Sequence, residues 1–80
     1  MSIKNLKDLK IGETGKIIEI DGGPGMVNRL SALGIRPGKK ITKLSSSFLR
    51  GPVRIELDRI QIAIGYGMAK RMLVEVNPSR

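Results

Sequence analysis

The chain has 80 residues, of which 40% are hydrophobic and 28% are charged, with a formal net charge of +8 at pH 7. This length supports a single domain, expected over residues 1–80, and the composition excludes a disordered tail. No apolar run approaches the roughly 18 residues that a membrane-spanning helix needs, and the N-terminus lacks the apolar stretch of a secretion signal. We therefore expect a globular protein of the cytoplasm.

The chemistry available to the chain is narrow because the sequence contains neither histidine nor cysteine. Their absence removes disulfides, thiolate nucleophiles, imidazole bases and the usual ligands of zinc, copper and iron–sulfur clusters. A metal site would need carboxylates, and the seven acids are scattered: Asp8, Glu13, Glu19, Asp21, Glu56, Asp58 and Glu75. No motif places a base beside a hydroxyl group. We expect no enzyme activity, no cofactor, no dedicated metal site and no small-molecule substrate.

The first elements are a helical turn and a strand. Leu6 and Leu9 have the spacing of one helical turn that lies on the core. The β-branched segment 16–20 predicts a strand, which ends at the glycine-rich loop 21–25.

The period then changes to that of a helix over residues 26–33. Its buried face is expected to carry Met26, Val27, Leu30 and Leu33. Gly34 follows at the position of a left-handed cap, and Pro37-Gly38 has the composition of a type II turn. The chain should therefore reverse direction after the helix.

The second half of the sequence predicts further short strands. Residues 39–44 form one, followed by a polar loop at 45–47, and the alternation over 53–57 indicates a strand with one buried face. A second alternation over 60–64 makes Asp58-Arg59 the tip of a hairpin. A helical turn at 68–71 and a last strand at 73–76 complete the pattern. Five short strands with one helix favour a closed or partly open β-barrel, because closure removes exposed strand edges.

Several of these segments, in this order, resemble the FeoA family. The most specific is Arg29-Leu30-Ser31-Ala32-Leu33-Gly34-Ile35-Arg36-Pro37-Gly38, and the others are 6–15, 51–55, 62–64 and 69–74. The resemblance extends over nearly the whole chain. It implies a mainly β fold, a small SH3-like barrel of about five strands with one short helix.

The resemblance also implies a function in bacterial ferrous iron uptake. FeoA proteins act beside FeoB, a membrane protein that joins a cytoplasmic GTPase domain to a ferrous iron pathway. Members of the family also occur behind a DNA-binding domain in metal-dependent repressors, but this sequence begins at Met1 without one, so we expect a stand-alone accessory protein. Recruitment to the inner face of the cell membrane and a family-level association with transition metal ions belong to the same expectation.

The positive charge indicates an acidic partner, which the charge alone does not identify. Basic side chains gather around the helix and the following turn, and the candidate partner-binding residues are Arg29, Arg36, Lys39, Lys40 and Lys43. A solvated surface explains them about as well as a docking site does.

Two alternatives to docking on FeoB remain open. A small basic barrel can bind nucleic acid, for example RNA of the ribosome, although only two aromatic residues, Phe48 and Tyr66, are available for base stacking. Direct binding of iron is the other, and the missing histidine and cysteine disfavour it. The sequence leaves self-association open.

Overall fold

Six antiparallel strands form one sheet in the computed structural model, which describes residues 2–46 and 50–76. The strands are β1 (Ser2–Asn5), β2 (Thr14–Ile20), β3 (Lys40–Ser46), β4 (Val53–Leu57), β5 (Ile60–Ile64) and β6 (Met72–Val76). Their order in the sheet is β1-β6-β2-β3-β4-β5. Helix α1 (Pro24–Ala32) and the single-turn helix α2 (Tyr66–Ala69) connect strands, and a 3-10 turn spans Leu6–Asp8. The predicted mainly β architecture is confirmed.

The core lies on one face of the sheet and beneath α1. Alternation in β4 buries Val53, Ile55 and Leu57, as the sequence predicted. The strand paired with β4, β5, is buried unevenly, because Ile64 is enclosed whereas Ile60 is 59% exposed. Next to the turn, Ile60 of β5 is therefore exposed while its partner in β4, Leu57, stays buried.

Strand β2 pairs with two neighbours, β3 and β6. Its first residues pair with β3 and its last residues pair with β6. The pairing with β6 contains a bulge between Ile17 and Glu19. Gly15 lies where β6 comes closest: a Cβ there would meet the Val74 side chain and lie 2.9 Å from the carbonyl oxygen of Glu75. A residue without a side chain at this position lets the two strands pack closely.

The strand count differs from the expected five because β1 was not predicted. Its residues bury no large side chain, and β1 joins the sheet through its pairing with β6. Such an edge strand carries little hydrophobic pattern for a sequence to reveal. The polar loop expected at 45–47 was also wrong in part, since Ser45 and Ser46 belong to β3, and residue 47 lies outside the described residues.

The helix α1 begins and ends earlier than predicted. Pro24 occupies its first turn, where a missing N–H is tolerated, and the expected burial of Leu33 is wrong because this side chain is 52% exposed. The chain leaves the helix through Gly34, whose φ is +89°, and the N–H of Ile35 donates to the carbonyl oxygen of Leu30 over 2.9 Å. This helix cap carries Ile35 into the core, whereas Leu33 stays exposed.

The predicted turns are confirmed. Gly38 has a φ of +97°, and Asp58 and Arg59 form the hairpin tip with φ values of 53° and 68°. Within residues 2–46 and 50–76, no helix combines the length and hydropathy required to cross a bilayer.

Candidate docking surface

The candidate basic residues lie on α1, on the turn after it and at the start of β3. Arg29 is exposed on the last turn of α1, and Arg36 is exposed in the reversal that ends at Lys39. The N–H of Lys39 donates to the carbonyl oxygen of Arg36 over 3.2 Å, which closes the turn around Pro37-Gly38. Four of the five predicted residues thus lie at or near the protein surface in this region, whereas Lys43 does not.

Lys39 joins this turn to the tip of the β4–β5 hairpin. Its Nζ lies 2.8 Å from Oδ2 of Asp58, and both side chains retain contact with water. An ion pair of this kind stabilises the fold little, because solvent screens it. It nevertheless shows that the turn after α1 lies beside the hairpin, and it pairs the acid at the hairpin tip with a positive charge.

Lys40 lies on the outward face of the sheet beside another lysine. The register places Lys40 opposite Lys16 of β2, and Lys16 in turn lies opposite Glu75 of β6. Directly opposed like charges destabilise a strand pair slightly. This face therefore holds positive charge that only one neighbouring carboxylate offsets.

Lys43 is buried, with 3% of its surface exposed, so it cannot be part of an exposed docking set as expected from the sequence. The side chain lies on the core face of β3, and its Nζ donates to the carbonyl oxygens of Lys7 at 3.0 Å and Leu9 at 2.7 Å. Burial lowers the pKa of this ammonium, an effect that the carboxylates of Asp8 and Glu13 partly oppose. The charge thus holds the segment after the 3-10 turn against β3.

Glu13 fixes the same segment from the other side. Its Oε1 accepts the N–H of Lys10 over 2.8 Å, and its carboxylate lies 3.3 Å from Nζ of Lys4. The hydrogen bond from Lys10 and the nearby ammonium of Lys4 lower the pKa of Glu13. Both Lys4 and Lys43 are therefore engaged within the fold, in contrast to Arg29 and Arg36.

Three exposed residues of this region were not among the predicted site residues: Leu33, Arg59 and Ile60. Leu33 was assigned to the buried face of the helix, and Ile60 began the alternation over 60–64 that predicted a strand. Leu33 directly follows α1 and Ile60 is the first residue of β5, so each of them borders a turn. That position is the signal that could have indicated their exposure.

No metal-ligand cluster is visible in the part of the chain that the structure describes. There, no group of three or more histidine, cysteine, aspartate or glutamate side chains lies close enough together to hold an ion. This region instead carries exposed guanidinium and ammonium groups together with exposed aliphatic side chains, groups that can contact another macromolecule.

Comparison with known proteins agrees with this fold. The FeoA domain model matches residues 4–76. A protein of Methanocaldococcus jannaschii, assigned as an Fe(2+) transport protein A, is 38% identical over 66 residues, which cover 82% of this chain and 78% of that protein. The match therefore extends over most of both sequences.

Solved structures give the same result. A crystal structure of an iron uptake regulatory protein, FeoA, superposes with a TM-score of 0.84 at 31% identity, covering 92% of this chain and 97% of the other. The solution structure of the FeoA protein from Chlorobium tepidum has a TM-score of 0.86 at 21% identity, over 96% of this chain and 73% of that one. The expected SH3-like small barrel is thereby confirmed, with six strands. The match of the domain model to residues 4–76, together with these relatives, shows that the chain belongs to the FeoA family.

Proposed function

We propose that this protein is a non-enzymatic accessory protein of ferrous iron uptake that docks on the cytoplasmic GTPase part of FeoB. Family membership across residues 4–76 is the observation that carries the proposal. The protein would act in the cytoplasm and be recruited to the inner face of the membrane through this partner.

The surface charge supports a docking mechanism. Arg29, Arg36 and Lys40 are exposed, and none of them forms an ion pair among the described residues. Unpaired exposed charges speed association with a surface of opposite sign and make it dependent on salt. Lys39 contributes less because Asp58 already neutralises it, and Lys43 is excluded by its burial.

Co-purification tests the proposal directly. FeoB of the same organism is solubilised in detergent and incubated with the tagged full chain, with and without guanine nucleotide. Retention of FeoB in either nucleotide state supports docking, and its failure to associate in both states removes the support for this mechanism.

A pair of matched variants tests whether the basic surface is used. Arg36→Gln with Lys40→Gln removes two positive charges from the candidate surface, and Lys10→Gln with Arg54→Gln removes two from exposed positions elsewhere. Docking at the candidate surface predicts loss of retention in the first pair only. Equal loss in both pairs would mean that net charge matters and the location does not.

Binding of RNA provides the contrasting outcome. The FeoB proposal predicts only weak, strongly salt-dependent RNA binding, in the usual non-specific range of about 10⁻⁴–10⁻⁶ M. Submicromolar RNA binding at about 150 mM salt would favour the nucleic-acid alternative instead.

A further inference from the structure

Two exposed aliphatic side chains, Leu33 and Ile60, lie on segments that meet where the turn after α1 approaches the β4–β5 hairpin. Ile60 is the register partner of Leu57, so both side chains belong to the same face of the hairpin. Leu57 in turn lies beside the turn after α1: its Cδ2 is 3.4 Å from the position that a Cβ on Gly34, the residue after Leu33, would occupy. Leu33 and Ile60 therefore belong to two adjoining segments of the fold, the turn after α1 and the start of β5.

Their exposure is considerable for branched aliphatic residues, at 52% for Leu33 and 59% for Ile60. A single exposed leucine or isoleucine is ordinary on a protein surface. Here two of them lie on adjoining segments, Leu33 at the C-terminal end of α1 and Ile60 at the start of β5. Apolar side chains are typical of the centre of a protein interface.

Exposed arginines lie on the same segments. Arg29 precedes Leu33 by four residues and therefore lies one turn away on the same side of α1. Arg36 belongs to the turn that Lys39 ties to Asp58, and Arg59 is the second residue of the hairpin tip. Asp58 is the one acid in segments 29–40 and 57–60, and Lys39 neutralises it. These two segments thus carry three arginines that form no ion pair among the described residues.

We propose that Leu33 and Ile60, with Arg29, Arg36 and Arg59, form the docking surface for an acidic protein surface that has an apolar centre. This inference rests on the proposed function and names the chemistry of the contact on the cytoplasmic partner. We call these five residues the Leu33–Ile60 surface.

The composition of the surface favours an acidic protein over two other possible partners, a second copy of the chain and a nucleic acid. A second copy of the chain would bring three positive charges against three, and like charges across an interface oppose association. A nucleic acid would satisfy the arginines, but aliphatic side chains provide no platform on which bases stack. A protein surface with carboxylates around an apolar centre satisfies both parts of the arrangement.

The test is retention of detergent-solubilised FeoB by the full chain carrying paired substitutions. Leu33→Ser with Ile60→Ser removes the apolar centre, and Ile3→Ser with Ile11→Ser removes two isoleucines of matched exposure, 59% and 67%, from other parts of the surface. Circular dichroism and thermal melting establish that each variant is folded. We expect affinity to fall about tenfold or more in the first pair, as for central interface residues, and to stay near the wild-type value in the second.

A second pair of substitutions tests the surface even if the serine variants fold poorly. Arg36→Gln with Arg59→Gln leaves the core and the apolar pair in place, and we expect weaker retention with a reduced dependence on salt. Unchanged retention in this pair and in a folded Leu33→Ser, Ile60→Ser variant overturns the inference and leaves the docking of wild-type protein standing. Failure of the wild-type chain to retain FeoB overturns both the inference and the proposed function.

Two measurements made without FeoB test the other possible partners, a second copy of the chain and a nucleic acid. Sedimentation that shows a dimer abolished by Leu33→Ser with Ile60→Ser would assign the surface to a second copy and contradict the proposal. Tight RNA binding lost in the same variant would contradict it as well. A monomer with RNA affinity equal in wild type and variant supports the acidic protein partner.

Discussion

The ammonium of Lys43 donates a hydrogen bond of 2.7 Å to the carbonyl oxygen of Leu9. Among the described residues, no other side chain forms a hydrogen bond between this loop and the core face of β3. The same Nζ also donates to the carbonyl oxygen of Lys7. Backbone bonds reinforce the link, because the N–H of Gly12 donates to the carbonyl oxygen of Lys43 over 2.7 Å. A lysine that the sequence assigned to the surface therefore organises the segment between β1 and β2.

Lys43→Met should lower the free energy of unfolding by about 1–3 kcal/mol. Methionine fills nearly the same space, but it leaves the buried carbonyl oxygen of Leu9 without its donor. Urea denaturation measures the loss. Lys70→Met, the same change at an exposed position, should stay within about 0.5 kcal/mol of wild type. A Lys43→Met variant as stable as wild type would show that water replaces the ammonium without loss.

Glu13 should make part of the stability depend on acid pH. Because its pKa is lowered in the folded chain, the folded state binds this proton less readily than the unfolded state. The contribution is therefore present above the unfolded value of 4.5 and is lost as pH falls through the folded value. The side chain is 21% exposed, so we expect less than about 1 kcal/mol.

Urea denaturation of wild type and Glu13→Gln at about pH 7 and about pH 3 checks this sign. Wild type should be the more stable protein at the higher pH, and the difference should vanish at the lower one. Glu19→Gln, at an exposed position of β2, is the control. A difference between wild type and Glu13→Gln that persists at low pH would mean that the carboxylate charge is not responsible.

Regular alternation explains what could be predicted from the sequence. The sequence predicts β4 because each second residue must enter the core, and these residues are Val53, Ile55 and Leu57. It predicts the turn at Gly38 because few other residues adopt the φ of this position. Periodicity does not show where a core ends. Leu33 fits the helical stripe and Ile60 the strand alternation, yet both lie beyond the enclosed region. Their placement depends on how the turn after α1 lies against the hairpin, which local sequence does not encode.

Leu30→Ala and Leu33→Ala should separate the enclosed and exposed parts of the helical stripe. Leu30 is 2% exposed, so its truncation leaves a cavity and should lower stability by roughly 2–5 kcal/mol. Leu33→Ala should change it by less than about 0.5 kcal/mol. Thermal and urea unfolding of both variants provide the comparison. Equal losses would mean that Leu33 packs in the core in solution and is not available for docking.

Gly15→Ala should destabilise the barrel by roughly 1–3 kcal/mol, through crowding. The added methyl group would meet the Val74 side chain and the backbone oxygen of Glu75, and the backbone cannot move away without disturbing the β2–β6 pairing. Gly67→Ala in α2 is the matched control, since a Cβ there meets nothing within 4 Å. Thermal melting should show a lower midpoint for the first variant and no loss for the second.

Arg59→Gly should separate stability from docking in a single substitution. Arg59 has a φ of 68° at the second position of a two-residue hairpin, where the left-handed conformation strains a residue with a side chain and favours glycine. Relief of that strain, about 1–2 kcal/mol, is offset by the greater chain entropy of glycine in the unfolded state, about 0.5–1 kcal/mol. We therefore expect a melting temperature equal to or slightly above that of wild type. Retention of FeoB should nevertheless weaken, because the substitution removes one of the three unpaired charges of the Leu33–Ile60 surface. Arg54→Gln removes one charge from the outward face of β4 and should leave retention unchanged. An Arg59→Gly protein that melts no earlier than wild type and retains FeoB equally well would remove Arg59 from the docking surface.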